Sequence, residues 1–317
     1  MASLLTMGWA GAEKRGRNRR SWEIATTCAA ALMITASSGA SVLEQARVDN
    51  EPALASRNGF GDGSRLVPGR ETVIGAYSSA PYNYPSAARV TNPDSAAATD
   101  FTVDPVNWYT NPFKSPIYYG ARVQRWFSGG KAGGMVDFIH SKAIAPLQEE
   151  AGFSGTLDGQ PLPPRARIAD VFRKFEFSHG HNMLLFNGLL RLPGIGARIS
   201  PYAGAGVGAS LPHTEVELTN GGHPRTYEYN YAGPATQALL GVEIRLARVS
   251  FFVEYKFTYA HYNAPLSGVD GSWLPLDMWR QAKRWFAGEP PPGGHVATEL
   301  AAHQIVSGLA VRLAPSP

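Results

Sequence analysis

The chain has 317 residues, room for one β domain with a leader and long loops; 44% are hydrophobic and 17% charged. No run of about 18 apolar residues occurs, which argues against a spanning helix. Net charge is +4, but residues 1–40 hold five basic and two acidic residues, so the remainder stands at +1 and a nucleic-acid partner loses its electrostatic support.

Residues 1–40 read as a secretory signal. Lys14, Arg15, Arg17, Arg19 and Arg20 form a basic region, Ile24 to Ala36 a short apolar one, and Ser38-Gly39-Ala40 offers small residues for cleavage. Met7 is an alternative initiator. Cys28, the only cysteine, leaves with this leader, so the mature chain has neither a disulfide nor a thiol nucleophile. Residues 41–70 are turn-rich and without period, a flexible periplasmic lead-in.

From residue 71 to 313 the chain alternates with period two. The first strand is expected over Glu71–Ser79, followed by a long loop over 80–115 with a β-like piece at Phe101–Trp108. The second strand is Pro116–Phe127 and the third Ala132–Lys142, joined by a tight Ser-Gly-Gly-Lys turn. A long loop runs to about Gly180. The fourth strand is His181–Leu192 and the fifth Arg198–Leu211. Residues 212–233 form a third long loop.

The clearest pair follows. Ala238, Leu240, Val242 and Ile244 alternate with Gln237, Gly241, Glu243 and Arg245; Phe251, Val253, Tyr255, Phe257 and Tyr259 alternate with Glu254, Lys256 and Thr258. A fourth long loop covers 263–297, the last strand is about Thr298–Leu313, and 314–317 is a tail. Eight strands with alternating long and short connections predict an all-β fold: an eight-stranded antiparallel transmembrane outer-membrane β-barrel with short helices in its extracellular loops. Arg122, Asp137, Arg191, Glu243, Arg245, Glu254, Lys256 and Arg312 would form a paired polar plug. The terminal aromatic common in such barrels is missing from LAVRLAPSP.

A filled barrel leaves the rim for chemistry. Ile168, Val171, Phe172 and Phe175 have helical spacing among Arg165, Arg167, Arg173 and Lys174; Leu276, Trp279 and Phe286 accompany Arg280, Lys283 and Arg284. Basic amphipathic helices with tryptophan suit a membrane interface, where Arg165, Arg173, Arg280, Lys283 and Trp279 would engage a phosphorylated lipid. The histidines also gather at this rim: Glu176, His179 and His181 in EFSHGH, His140 at the end of the third strand, His213 and Glu215 after the fifth. His140, Glu176, His179 and His181 are the candidate catalytic set, and His140, His179 and His181 the candidate metal ligands, since H-x-H on a strand puts two rings on one face.

ETVIGAYSSAPYNYP, SPIYYGARVQRWF, VDFIHSKA, FSGTLDGQPLPPRA, FEFSHGHNMLLFNGLLRLP, SLPHTEVEL, VEYKFTYAHY and DGSWLPLDMWRQ resemble the lipid A oxidase family of rhizobial outer membranes, over roughly residues 71–313. The resemblance implies an oxygen-dependent oxidoreductase. It would convert the proximal glucosamine of lipid A to 2-aminogluconate, with molecular oxygen as co-substrate and peroxide as product. Its partners would be lipid A in lipopolysaccharide and the outer membrane, not nucleic acid, and the protein would be a monomer. A divalent metal is a candidate electron acceptor. Two other readings stay open: a non-catalytic structural or adhesive barrel, and a lipid A acyl-chain hydrolase using Ser178 with His179.

Overall fold

The computed structural model describes residues 70–93, 98–194, 198–219, 225–246, 248–271 and 273–313. The expected leader, all but the last residue of the lead-in, the 314–317 tail and part of the 193–196 turn lie outside the described residues.

The fold is all-β and antiparallel, with two helices among the described residues. Eight strands hydrogen-bond in sequence: β1 (Glu71–Asn83), β4 (Tyr119–Trp126), β5 (Ala132–Ile144), β9 (Phe172–Arg191), β10 (Ile199–Ser210), β13 (Gly233–Arg245), β14 (Val249–Pro265) and β15 (His295–Leu313). β1 also pairs with β15, from Thr72↔Leu313 to Asn83↔Ala302, so the pairings return to their start. At one end the connections are short: residues 127–131, 192–198 and 246–248.

The other end carries the insertions. β2 (Ser86–Asn92) pairs with the start of β15 and with β3 (Thr99–Val106), which pairs in turn with β6 (Glu150–Leu157). β6 also holds β7 (Gln160–Pro161) and β8 (Arg165–Arg167), and helix α1 (Ile168–Val171) leads into β9. β11 (His213–Leu218) pairs with the first part of β9 and with β12 (Thr226–Tyr229); helix α2 (Leu274–Ala287) packs on β12.

In β13 and β14 polar residues occupy the buried face and large apolar residues the exposed one. In β13 Gln237, Glu243 and Gly241 are buried, while Leu240 is 56% exposed and Val242 and Ile244 are exposed too. In β14 Glu254, Lys256 and Thr258 are buried, and Tyr255 and Phe257 face outward. Period two permits this: each strand sorts its polar residues to one side and its apolar residues to the other.

The buried charges are paired as the sequence implies. Lys256 Nζ donates to Asp137 Oδ2 (2.5 Å) and to Tyr77 Oη (2.9 Å), and Tyr77 Oη donates to Asp137 Oδ1 (2.6 Å). Arg122 pairs with Glu254, which also accepts from Tyr202 Oη (2.5 Å). At the short-turn end Glu71 accepts from Arg191 (2.9 Å) and Arg245 (2.6 Å), and Arg312 holds Glu243 (3.0 Å). Gly120 and Gly241 leave room for the rings of Tyr77 and Tyr202, which a Cβ at either glycine would strike.

Two expectations change. The long loop over 143–180 is largely strand: β9 begins at Phe172, nine residues before the expected His181. The amphipathic helix expected from Ile168 to Phe175 stops at Val171. A register shift against Glu217/Leu218 leaves Arg173 as an extra residue in β9, which puts Phe172 and Phe175 on one buried face. A bulged strand thus imitates the i, i+3 spacing of a helix. Substituting Asp137→Ala removes the nearer carboxylate of buried Lys256 and leaves it Glu254 at 3.6 Å; chemical denaturation of the folded protein is expected to show a loss of about 3 kcal/mol, most of it recovered in an Asp137→Leu/Lys256→Met double variant.

Candidate functional site

β9 and β11 build a polar cluster at the end of the molecule that carries the insertions. Glu215 sits directly opposite Glu176 in the antiparallel register. Two carboxylates at that spacing repel. Lys174 Nζ resolves the conflict by bridging Glu176 (2.8 Å) and Glu215 (2.7 Å). Burial opposes the charge on Lys174, but the hydrogen bonds and charges of the two carboxylates more than restore it and raise its pKa. Glu215 is likewise opposed by burial, and hydrogen bonds from His213, Lys174 and His179 hold it well below the usual carboxylate range.

The two oxygens of Glu215 face different partners. Oε2 takes Lys174, and Oε1 takes His179 Nδ1 (2.5 Å), the His179 backbone N–H (3.0 Å), Ser178 Oγ (3.1 Å) and His213 Nδ1 (3.3 Å). His213 Nε2 lies 3.2 Å from the Gly271 carbonyl, just before α2. Tyr229 of β12 packs edge-on against the His213 ring and donates to the His179 carbonyl (3.4 Å).

A bulge aims these side chains. Ser141 pairs with His181 and Ala143 with Phe177, so Ser178, His179 and Gly180 oppose Lys142 alone. Gly180 sits at φ +145°, and a Cβ there would overlap the Asn182 side chain. Through this irregularity His179 swings out, its side chain 57% exposed, while His181 is buried.

The sequence-derived set is therefore divided. His179 and Glu176 belong to the cluster. His181 does not share a face with His179, because the bulge at Gly180 breaks the alternation that H-x-H requires; its Nδ1 bonds to Tyr262 Oη. His140 is buried, stacked on Tyr119 (4.6 Å between centroids), with Nδ1 on Asn182 Oδ1 (2.8 Å). His140 interacts electrostatically with both His179 and His181 but donates no ligand to a common point with them. Among the described residues, the group whose ligand atoms converge within 4.8 Å is His179, His213 and Glu215. The alternating His213-x-Glu215 on one strand face was the available signal; Lys174 was hidden by its assignment to a helix. Ser178 Oγ donates to Glu176 (2.9 Å) and Glu215, both carboxylates, rather than to a histidine, which is not the pairing that activates a serine nucleophile.

The cationic residues separate as well. Arg165 and Arg173 are exposed and paired with Glu150 (2.9 Å) and Glu217 (3.4 Å). α2 is amphipathic with its polar face inward. Asp277 and Gln281 are buried, where Asp277 accepts from the Tyr229 backbone (3.2 Å) and Gln281 from that of Tyr231 (2.8 Å). Arg284 pairs with buried Glu228 (3.0 Å). The opposite face exposes Trp273, Leu276, Trp279 and Phe286, the last 91% exposed. Arg280 pairs with Asp277, Lys283 lies over the Trp279 ring (5.9 Å), and Arg280, Lys283, Arg284 and Phe286 line one open recess.

No protein-family model matches the chain, and no curated protein does. Among solved structures, the crystal structure of Neisserial surface protein A matches at 10% identity and a TM-score of 0.32, over 77% of this chain and 98% of that one. That likeness is too slight to carry an argument about fold or function.

Glu215→Gln removes the charge on which four donors and Lys174 converge and is expected to cost about 1–3 kcal/mol. Because its folded pKa is depressed, the difference in thermal midpoint between wild type and variant is expected to be full above the ordinary carboxylate range. It should narrow as pH falls through that range toward the lower folded value. A difference already shrinking between pH 8 and 6 would contradict the assignment.

Proposed function

We propose that the chain is an eight-stranded transmembrane β-barrel of a Gram-negative outer membrane, exported by a cleaved signal peptide, and that it oxidises the proximal glucosamine of lipid A. The observation that carries this reading is a lipid-compatible helix packed on the same strand that borders the histidine–carboxylate cluster. α2 turns its aromatic face outward and its polar face onto β12, and the same β12 and Gly271 touch His179 and His213.

The barrel part rests on two facts. The pairings of the eight strands close on themselves, which leaves no open edge along them, and large apolar residues such as Phe186, Leu240 and Tyr255 face outward while Arg122, Asp137, Glu254 and Lys256 are buried. Trp279 and Trp285 on α2, with Trp273 just before it, fit a membrane interface at the end with long insertions. Lys283 pairs with no carboxylate among the described residues, so its ammonium is available to a lipid phosphate, with Arg280 beside it in the same recess. Arg165 and Arg173 are poorer candidates because each already holds a glutamate.

The enzymatic part rests on the sequence resemblance together with the chemistry of the cluster. Oxidation of a sugar lactol removes two electrons and two protons from C1 and its hydroxyl, giving a lactone. Molecular oxygen takes them and becomes hydrogen peroxide, and water opens the lactone to the 2-aminogluconate. Glu176, partly exposed beside Lys174, is the proton acceptor for the anomeric hydroxyl. The net gain is one oxygen, about 16 mass units, in a redox step that side chains alone do not supply.

The test is mass spectrometry of a lipid A with a free anomeric hydroxyl, incubated with the folded protein in detergent with and without oxygen. An oxygen-dependent gain of one oxygen is expected; an unchanged lipid would favour the non-catalytic barrel, and loss of an acyl chain the hydrolase. Trp279→Ala/Phe286→Ala is expected to lower kcat/KM about tenfold or more, chiefly through KM, since roughly 1.4 kcal/mol of lipid contact is tenfold in affinity. Glu176→Gln should act on kcat instead.

A further inference from the structure

We infer that His179, His213 and Glu215 form a binding site for a divalent first-row transition metal. The inference follows from the convergence of their ligand atoms. His213 Nε2 is held by the Gly271 carbonyl at 3.2 Å, which turns Nδ1 of the same ring toward Glu215 Oε1 at 3.3 Å.

The rest of the arrangement fits the same cation. His179 Nδ1 reaches the same carboxylate oxygen, and the three donor atoms lie within 4.8 Å of one another. Metal-bound histidines characteristically donate their other ring N–H to a backbone carbonyl or carboxylate, as His213 does to Gly271. Glu215 divides its labour: Oε1 faces the imidazoles, and Oε2 is anchored by Lys174, which fixes the carboxylate without occupying the ligand oxygen. Two imidazoles and one carboxylate select metals of the iron-to-zinc series over calcium or magnesium. His179 lies on the solvent side of the group and His213 and Glu215 on the buried side, so a metal held there would be reached from the His179 side. The ligands come from β9 and β11 and the outer hydrogen bond from the approach to α2, so binding would tie together three segments distant in sequence. The site stands on geometry alone; its place beside the proposed oxidation rests on that reading.

The experiment uses the full chain folded in detergent micelles and stripped with chelator, with Co²⁺ as the probe. One equivalent is expected to bind with visible absorption of an imidazole-ligated ion. His179→Ala and His213→Ala should each weaken binding by roughly 100-fold and Glu215→Gln by about 10- to 100-fold, while His261→Ala, outside the cluster, should leave it unchanged. Histidine ¹⁵N resonances of the wild type guard against variants that fail to fold: addition of diamagnetic Zn²⁺ should move Nδ1 of His179 and His213 and leave His261 in place. No uptake at millimolar Co²⁺, or a His213 Nδ1 resonance unmoved by Zn²⁺, overturns the site. Metal binding without lipid A oxidation removes the oxidase reading and leaves the site. Oxidation by protein that takes up no metal removes the site and leaves the reading.

Discussion

Asp137 and Lys256 meet at the centre of the closed circuit of strands, with Tyr77 bonded to both. The rest of the structure depends on contacts of this kind. The inner faces of the eight strands mix apolar residues such as Met135, Ile139, Leu185 and Phe252 with charges that have no water to turn to, so those charges must satisfy one another. Single unpaired charges there would be costly, and the pairing of Lys256 with Asp137 and Arg122 with Glu254 makes the filling tolerable. Gln237, bonded to Asp137 and Asn187, extends it across β13 and β9. Strand register is fixed by the same requirement, because a slip of one residue would carry every charge to the outer face.

Above that filled region the chain adopts a second packing scheme. Phe101, Phe153, Phe172 and Phe175 form an ordinary apolar core among β3, β6 and β9, of the sort a water-soluble sheet would have. The His179–His213–Glu215 cluster lies where β9 passes from one scheme to the other. Two irregularities in β9, the extra Arg173 and the loosely matched Ser178–Gly180, accomplish the change, and the second of them delivers His179 to Glu215. The chemistry and the break in alternation therefore have one cause.

This also explains how much of the molecule was legible in its sequence. Where period two is unbroken, as in Gly233–Arg245 and Val249–Pro265, strand boundaries and buried faces were readable within a few residues, because a single alternation decides both. α2 was readable for its spacing, though not for the inward turn of its polar face, which depends on Tyr229 and Tyr231 of the neighbouring segment. The site was half readable. Glu176 and His179 stood out as a concentration, but an alternation rule paired His179 with His181, and a bulge is invisible to such a rule. His213 and Glu215 reach the cluster through the β9–β11 pairing, a contact between residues some 36 positions apart that no local pattern encodes. The helix expected at Phe172–Phe175 failed for the same reason.

Glu71 lies at the opposite end, beside the short turns. Arg191 of β9, Arg245 of β13 and Arg312 of β15 gather around it, so one carboxylate of β1 holds a cation from each of three strands. Only β15 among them is a hydrogen-bonded neighbour of β1. The ion pairs to β9 and β13 therefore act as a cross-brace, joining strands that share no ladder and fixing their separation by charge instead of by backbone pairing.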